Sequence, residues 1–263
     1  MEIIGYVAAV LIGLSLGLIG GGGSIMTMPV LVYLFRVPPM LATSYSLIVV
    51  GIISLFGFAG HLKRKTVSVQ TGLLFGTASV ISIFLTRHFL LPAIPSVILR
   101  TGNTIIHFST LTMILFALLM IAAAIAMIFQ RARPDEKEHS TKKRPVLLLV
   151  YGGLIGLTTG LLGAGGGFLL IPALVLFARL PMKEAIGTSL MIITLNSFFG
   201  MLADLGHVHL DMALLLRITL VATGGLAAGM YLGRFIQSSR LKLGFAVFVL
   251  LMGAYMLITE LIK

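Results

Sequence analysis

Apolar stretches follow one another along almost the whole chain, separated by short polar loops. They cover residues 3–19, 25–35, 41–60, 67–85 and 104–129, and then 146–162, 168–178, 185–205, 212–235 and 241–261. A helix needs about 20 apolar residues to cross a hydrocarbon core of about 30 Å. Lipid offers the backbone no hydrogen-bond partners, so segments of this kind close their bonds internally as helices. The pattern predicts an all-α polytopic membrane protein. One long polar interval, RARPDEKEHSTKKR at residues 131–144, interrupts it. It divides the chain into a first membrane repeat at 1–130, a basic cytoplasmic linker at 131–145 and a second membrane repeat at 146–263.

The two shortest apolar stretches each follow a run of glycine. Gly20 to Gly23 precede one, and Gly163-Ala164-Gly165-Gly166-Gly167 precede the other. A run of glycine is where a helix can unwind sharply, because residues without Cβ tolerate positive φ. The surroundings match as well. Gly13, Gly17, Gly20, Pro29, Leu31 and Arg36 align with Gly156, Gly160, Gly163, Pro172, Leu174 and Arg179 at one fixed offset. Thr43-Ser44 then aligns with Thr188-Ser189, and Gly60-His61 with Gly206-His207, as the offset drifts by a few residues across loops. The chain is a duplication.

Basic residues arbitrate the orientation of the two copies, since lysine and arginine collect on the cytoplasmic side. If each glycine-broken segment crosses once, the repeats are parallel, and Arg179, Lys183, Arg234, Arg240 and Lys242 fall outside. If each dips in and returns, every half has three full crossings and the repeats are inverted. Those residues then join Lys63, Arg64, Lys65 and the linker on the inner side. The second arm of each break, about 12 residues or 18 Å, is too short to cross. The reading adopted is two inverted repeats, each with a re-entrant, glycine-broken helix plus three crossing helices, and both termini outside.

Composition agrees with a membrane assignment. The chain is 58% hydrophobic and 10% charged, against about 25% charged in soluble domains. Its net charge of +11 is explained by loop lysines and arginines that orient the protein, so no nucleic-acid partner is implied. There is no cysteine, which excludes disulfides, thiolate metal sites and cysteine nucleophiles. The first segment lacks a basic n-region and is read as retained. All eight acidic residues (Glu2, Asp135, Glu136, Glu138, Glu184, Asp204, Asp211 and Glu260) lie away from the centres of the predicted crossings. A cation path or carboxylate relay would place one there.

The helix restarting after each break presents free N–H groups and the positive end of its dipole, which suits an anion. The expected substrate-binding set is Gly21, Gly22, Gly23, Ser24 and Thr27 at the first restart, and Gly165, Gly166 and Gly167 at the second. Ser44, Ser189 and Asn196 complete it as neutral donors. The competing role for such hydroxyls is bonding within or between helices. Gly13 and Gly17 fit close helix packing. Asp204 and Arg217 are expected to pair across one turn. His61, His107, His207 and His209 read as interfacial, and no metal or cofactor is implied.

The runs GLIGGGGSIMTMPVL (17–31) and GLLGAGGGFLLIPAL (160–174), with Ala42-Thr43-Ser44 and Ala185-Ile186-Gly187-Thr188-Ser189, resemble the sulfite exporter TauE/SafE family of membrane permeases. The resemblance implies a plasma (inner) membrane protein of a bacterium or archaeon. It implies a transporter moving small sulfur-containing anions such as sulfite or organosulfonates, and no enzyme. The copies differ where Ser24 stands opposite Gly167. Small carboxylates are the alternative cargo. A non-transporting assembly factor or an intramembrane hydrolase using Ser24 are the other classes weighed. Ser24 lacks a G-x-S-x-G elbow and a nearby histidine, which disfavours the hydrolase. The partners expected are a small anion and the lipid bilayer, and a homo-oligomer is compatible with both.

Overall fold

The computed structural model describes residues 2–94, 97–101, 104–129, 145–162, 167–204 and 211–262. The helices are α1 (Glu2–Ile19), α2 (Gly22–Pro29), α3 (Pro39–Lys63), α4 (Val69–Leu85), α5 (Leu91–Ala93), α6 (Phe108–Phe129), α7 (Pro145–Leu162), α8 (Gly167–Leu176), α9 (Met182–Asp204), α10 (Met212–Leu232) and α11 (Ser238–Ile262). Wide π turns extend α2 over Val30–Leu34 and α4 over Thr86–Leu90. Gly163 to Gly166, residues 131–144, His207 and His209 lie outside the described residues.

Among the described residues, five helices are long and apolar enough to cross a membrane: Leu41–Lys63, Val69–Ala93, Thr110–Phe129, Met182–Asp204 and Met212–Leu232. The protein is helical and membrane-spanning, with one departure. A short antiparallel hairpin, β1 (Val97–Thr101) paired with β2 (Thr104–His107), precedes α6. The apolar pattern alone merges β2 into the crossing at 104–129. Val97, Ile98, Ile105 and Ile106 are strand formers around a Gly-Asn pair, the local signal for a hairpin.

Gly20 ends α1 with φ of +76°, the left-handed conformation that glycine adopts at no steric cost. The chain then doubles back. Phe35, beyond the end of α2, lies edge-on to Tyr6 near the start of α1, with centroids 6.2 Å apart. In the second half Phe177, just past α8, stacks on Tyr151 of α7 at 3.8 Å. Both returning arms end alike. Arg36 and Arg179 take positive φ of 54° and 52°, and the amides of Val37 and Leu180 donate to the carbonyls of Leu31 and Leu174 at 2.9 and 3.1 Å. These are the same cap at matched positions.

Lipid tails are as apolar as leucine, so the hydrophobic effect cannot drive helices together there, and close backbone packing takes its place. α1 lies on α10 through glycine on both sides. A Cβ on Gly13 would stand 1.7 Å from the carbonyl oxygen of Ala222, and one on Gly225 would stand 2.2 Å from that of Val10. α7 meets α4 the same way. A Cβ on Gly152 or Gly156 would reach the carbonyl oxygens of Phe75 and Ser79. Gly13→Val and Gly225→Val are therefore expected to lower the unfolding temperature in detergent, overpacking costing about 1–3 kcal/mol. Gly153, where an added methyl would meet nothing within 4 Å, is the control. Gly153→Ala should be neutral or stabilising by up to about 1 kcal/mol. Equal melting of all three variants would contradict this packing.

These contacts also set directions. α3 and α9 run antiparallel, with Ser44 on Asp204 and Gly51 against Ser197. α9 and α4 run parallel, from Ser68 on Thr188, through Ser79 on Asn196, to Arg87 on Asp204. α10 runs parallel to α3, from Tyr45 beside Asp211 to Gly60 beside Met230. Exchanging the halves maps α1 with α10 onto α7 with α4, and α3 with α9 onto itself. Lys63, Arg64 and Arg234 accordingly share one end of the bundle. Partial burial, then the neighbouring Arg234 guanidinium, lower the pKa of Arg64.

Candidate functional site

The two restarted helices touch. A Cβ on Gly21 would stand 2.2 Å from the carbonyl oxygen of Gly167, and one on Gly167 would stand 2.8 Å from Ser24 Oγ and 3.0 Å from Gly21 Cα. Only glycine permits this approach. The Gly21 position would also meet Ile171 Cδ1 at 2.8 Å, so the first turns of α2 and α8 overlap side by side. α2 starts at Gly22 with no side-chain cap, so its first amides lack a side-chain partner. Gly23 packs on α1, where a Cβ would lie 2.4 Å from the Ile12 carbonyl oxygen.

The hydroxyls expected here are engaged locally. Ser24 donates to the Gly21 carbonyl at 2.8 Å, Thr27 to that of Gly23 at 2.8 Å, and Ser189 to that of Ile186 at 2.8 Å. Their protons serve the backbone, so the remaining donors at the break are amides. Thr188 accepts from the Ser68 amide at 2.9 Å. Asn196 is fully buried and donates from Nδ2 to Ser79 Oγ at 2.7 Å, while its Oδ1 has no partner among the described residues. Gly165 and Gly166 lie outside the described residues.

The first break lies against the stretch of α9 that leads into the Thr188-Ser189 pair. Gly20 packs against Ile186, its Cβ position 2.7 Å from Ile186 Cγ2, one turn from Thr188 and Ser189. Near the second break stands a group that the sequence pattern does not reveal. Arg87, 2% exposed, donates from Nη1 to the Gly160 carbonyl at 3.2 Å. Its Nη2 donates to Thr43 Oγ1 at 3.3 Å and to Ser44 Oγ at 2.9 Å. Nε reaches Asp204 Oδ1 at 2.8 Å, and Nη2 also contacts Asp204 Oδ2. Ser44 adds a bond from its hydroxyl to Asp204 Oδ2 at 2.6 Å.

The expected pairing of Asp204 with Arg217 is corrected by these contacts. Asp204 ends α9 facing α3 and α4, while Arg217 is exposed on α10. The π turn at Thr86–Leu90 holds one residue more than an α-helical turn and leaves Arg87 buried against α7. Chain proximity favoured Arg217, but helix packing selects a partner from the other half.

Buried polar groups gathered beside broken helices, inside a belt of exposed apolar side chains such as Ile4, Val7, Leu73 and Ile81, define an integral membrane transporter. The chain belongs to the sulfite exporter TauE/SafE family, whose model matches residues 6–256. It is similar to a probable membrane transporter protein of Xylella fastidiosa strain 9a5c, 30% identical over 205 residues that cover 77% of this chain and 72% of that protein. It is also similar to the probable membrane transporter protein YunE of Bacillus subtilis strain 168, 26% identical over 282 residues, with 96% and 97% covered. A further relative is the probable membrane transporter protein MJ0441 of Methanocaldococcus jannaschii, 28% identical over 116 residues, with 42% and 43% covered. No solved structure matches the chain.

Proposed function

We propose that the protein is a secondary transporter of small sulfur-containing anions such as sulfite and organosulfonates. It works by alternating access between inverted halves whose glycine-broken helices re-enter the membrane. The observation that carries the reading is the contact of Gly21 and Ser24 with Gly167, which brings the starts of two half-helices together among buried hydroxyls. Half-helix N-termini are suited to anionic groups of a cargo. The opposed directions of α3 and α9 support inversion. The return of Phe35 to Tyr6 and of Phe177 to Tyr151 supports re-entrance. The cargo class follows the family.

The anion is held by backbone amides of the α2 and α8 first turns. Flux of radiolabelled sulfite, methanesulfonate and acetate into liposomes containing the purified protein tests the cargo, with saturable sulfite or sulfonate uptake expected. Uptake of acetate alone would reassign it. Ser24→Ala is expected to leave KM within about threefold, because its hydroxyl bonds Gly21 and a neutral bond of that kind is worth about 1 kcal/mol. A much larger rise in KM would make Ser24 a direct ligand.

A further inference from the structure

We infer that Arg87 is the charged contact for the transported anion, and that Asp204 is its resident counter-ion, exchanged for cargo when the carboxylate takes up a proton. This rests on the anion-transport reading above and gives the cargo a charged station on its path, about 16 Å along α9 from Ile193 beside the helix starts. Arg87 lies inside the Val69–Ala93 crossing and is buried. Ionisable residues at such positions are costly and mark cargo or ion paths. Stability gives no sufficient reason for the pair, since apolar side chains of similar volume hold helices together as well or better.

Position supplies the second argument. The guanidinium bonds the carbonyl of Gly160, just before the second glycine run, and both members of the Thr43-Ser44 pair. A π turn delivers it, and such turns concentrate at functional sites. The third argument is donor geometry. Nε and Nη2 form a side-on fork on the carboxylate, with the Ser44 hydroxyl on the same oxygen as Nη2. Sulfite, a sulfonate or a carboxylate offers two oxygens to the same fork. Fourth, α10 matches α4 as Ala222 against Gly13 matches Ser79 against Gly156, which puts Met230 and Phe58 at the equivalent positions of the other half, so the duplicated scaffold does not require the pair.

The neighbouring elements leave Arg87 as the cation in contact with Asp204 among the described residues. α3 contributes only hydroxyls and α7 only a carbonyl. Asp211, at the start of α10, is occupied in accepting from the amides of Ala213 and Leu214 at 2.9 and 3.1 Å. His88 stacks on Phe84 at 5.5 Å. The exchange balances. A proton from water adds to the Asp204 carboxylate, the neutral acid releases Nε and Nη2, and the cargo oxyanion takes both bonds. When the cargo leaves, the proton returns to water and the pair reforms, so one proton accompanies each anion.

The test uses the full chain in liposomes containing a pH-sensitive dye, with labelled sulfite, methanesulfonate and acetate outside. Wild type should take up protons with anion and run faster at acidic pH. Arg87→Lys, which loses the fork, should lower kcat/KM by about 30-fold, as expected for a lost bond to a charged group. Asp204→Asn should slow flux less than that, and should remove both proton uptake and pH dependence. Arg87→Met/Asp204→Leu should fold and move no anion. Wild-type flux and pH profile in that double variant would overturn the inference, leaving the pair a tie between helices. Arg87-dependent uptake of acetate without sulfite or methanesulfonate would defeat the cargo class and keep the inference. Sulfite flux indifferent to Arg87 would do the reverse, and a folded wild type moving none of the three would overturn both.

Discussion

Gly21→Ala is expected to lower anion flux at least about 100-fold while the protein still reaches the membrane, because displacement of a binding group by about 1 Å costs that much. The backbone at Gly21 has φ of −127°, which alanine adopts freely, so strain is not the cause. The added methyl would stand 2.2 Å from the carbonyl oxygen of Gly167 and 2.6 Å from its carbon. Backbone atoms of a packed helix cannot yield as a side-chain tip does, so α8 must move. Gly167→Ala tests the same contact from the other side, against Ser24 and Ile193. Gly153→Ala serves as the reference for a methyl added in open space. Initial uptake rates and elution from a sizing column in detergent separate function from folding. Two folded variants with normal uptake would remove the overlapping helix starts from the mechanism.

Arg87→Met is expected to destabilise the protein by about 3–5 kcal/mol at neutral pH, because it leaves the Asp204 carboxylate without its cation. Asp204 is largely enclosed, at 13% side-chain exposure against 1% for Arg87, so water replaces only part of the missing bonds. Adding Asp204→Leu should restore most of that loss, since the charge needing a partner is gone. Denaturant unfolding in mild detergent measures both. A single variant as stable as wild type would mean that Asp204 is better hydrated than its contacts indicate, and a double variant no better than the single would mean the two residues do not act as a pair.

The spans and the first glycine break were legible in the sequence because each reflects a local demand. A crossing needs a long apolar run, and the turn after α1 needs glycine at Gly20, where φ is positive. The role of Gly13 was readable for the same reason, since two helices approach closely only over small side chains. What escaped was chosen at long range. Arg87 stands two residues past the end of an apolar run, where it reads as a loop cation, and nothing local shows that a π turn buries it. Its partners lie on α3, α7 and α9, far away in the chain. The hydroxyls of Ser24, Thr27 and Ser189 were legible as candidate donors, but whether they face a ligand or their own helix depends on rotamers that the pattern does not encode. The β1–β2 hairpin had a local signal, masked by the apolar run that follows it.

The ion pair beside the second break has no copy beside the first, and this bears on how the molecule rests. A transporter of two interchangeable halves would hold its outward-open and inward-open forms at equal free energy, each half taking the other's part in turn. On the proposed mechanism, Arg87 and Asp204 would add an ion pair beside only one of the two glycine-broken segments, and the two forms would differ by whatever that pair contributes in each. Every 1.4 kcal/mol by which the pair prefers one form shifts the populations by about tenfold. On the proposed mechanism the duplication alone would weight the two forms equally, and two side chains would decide which one the empty protein occupies.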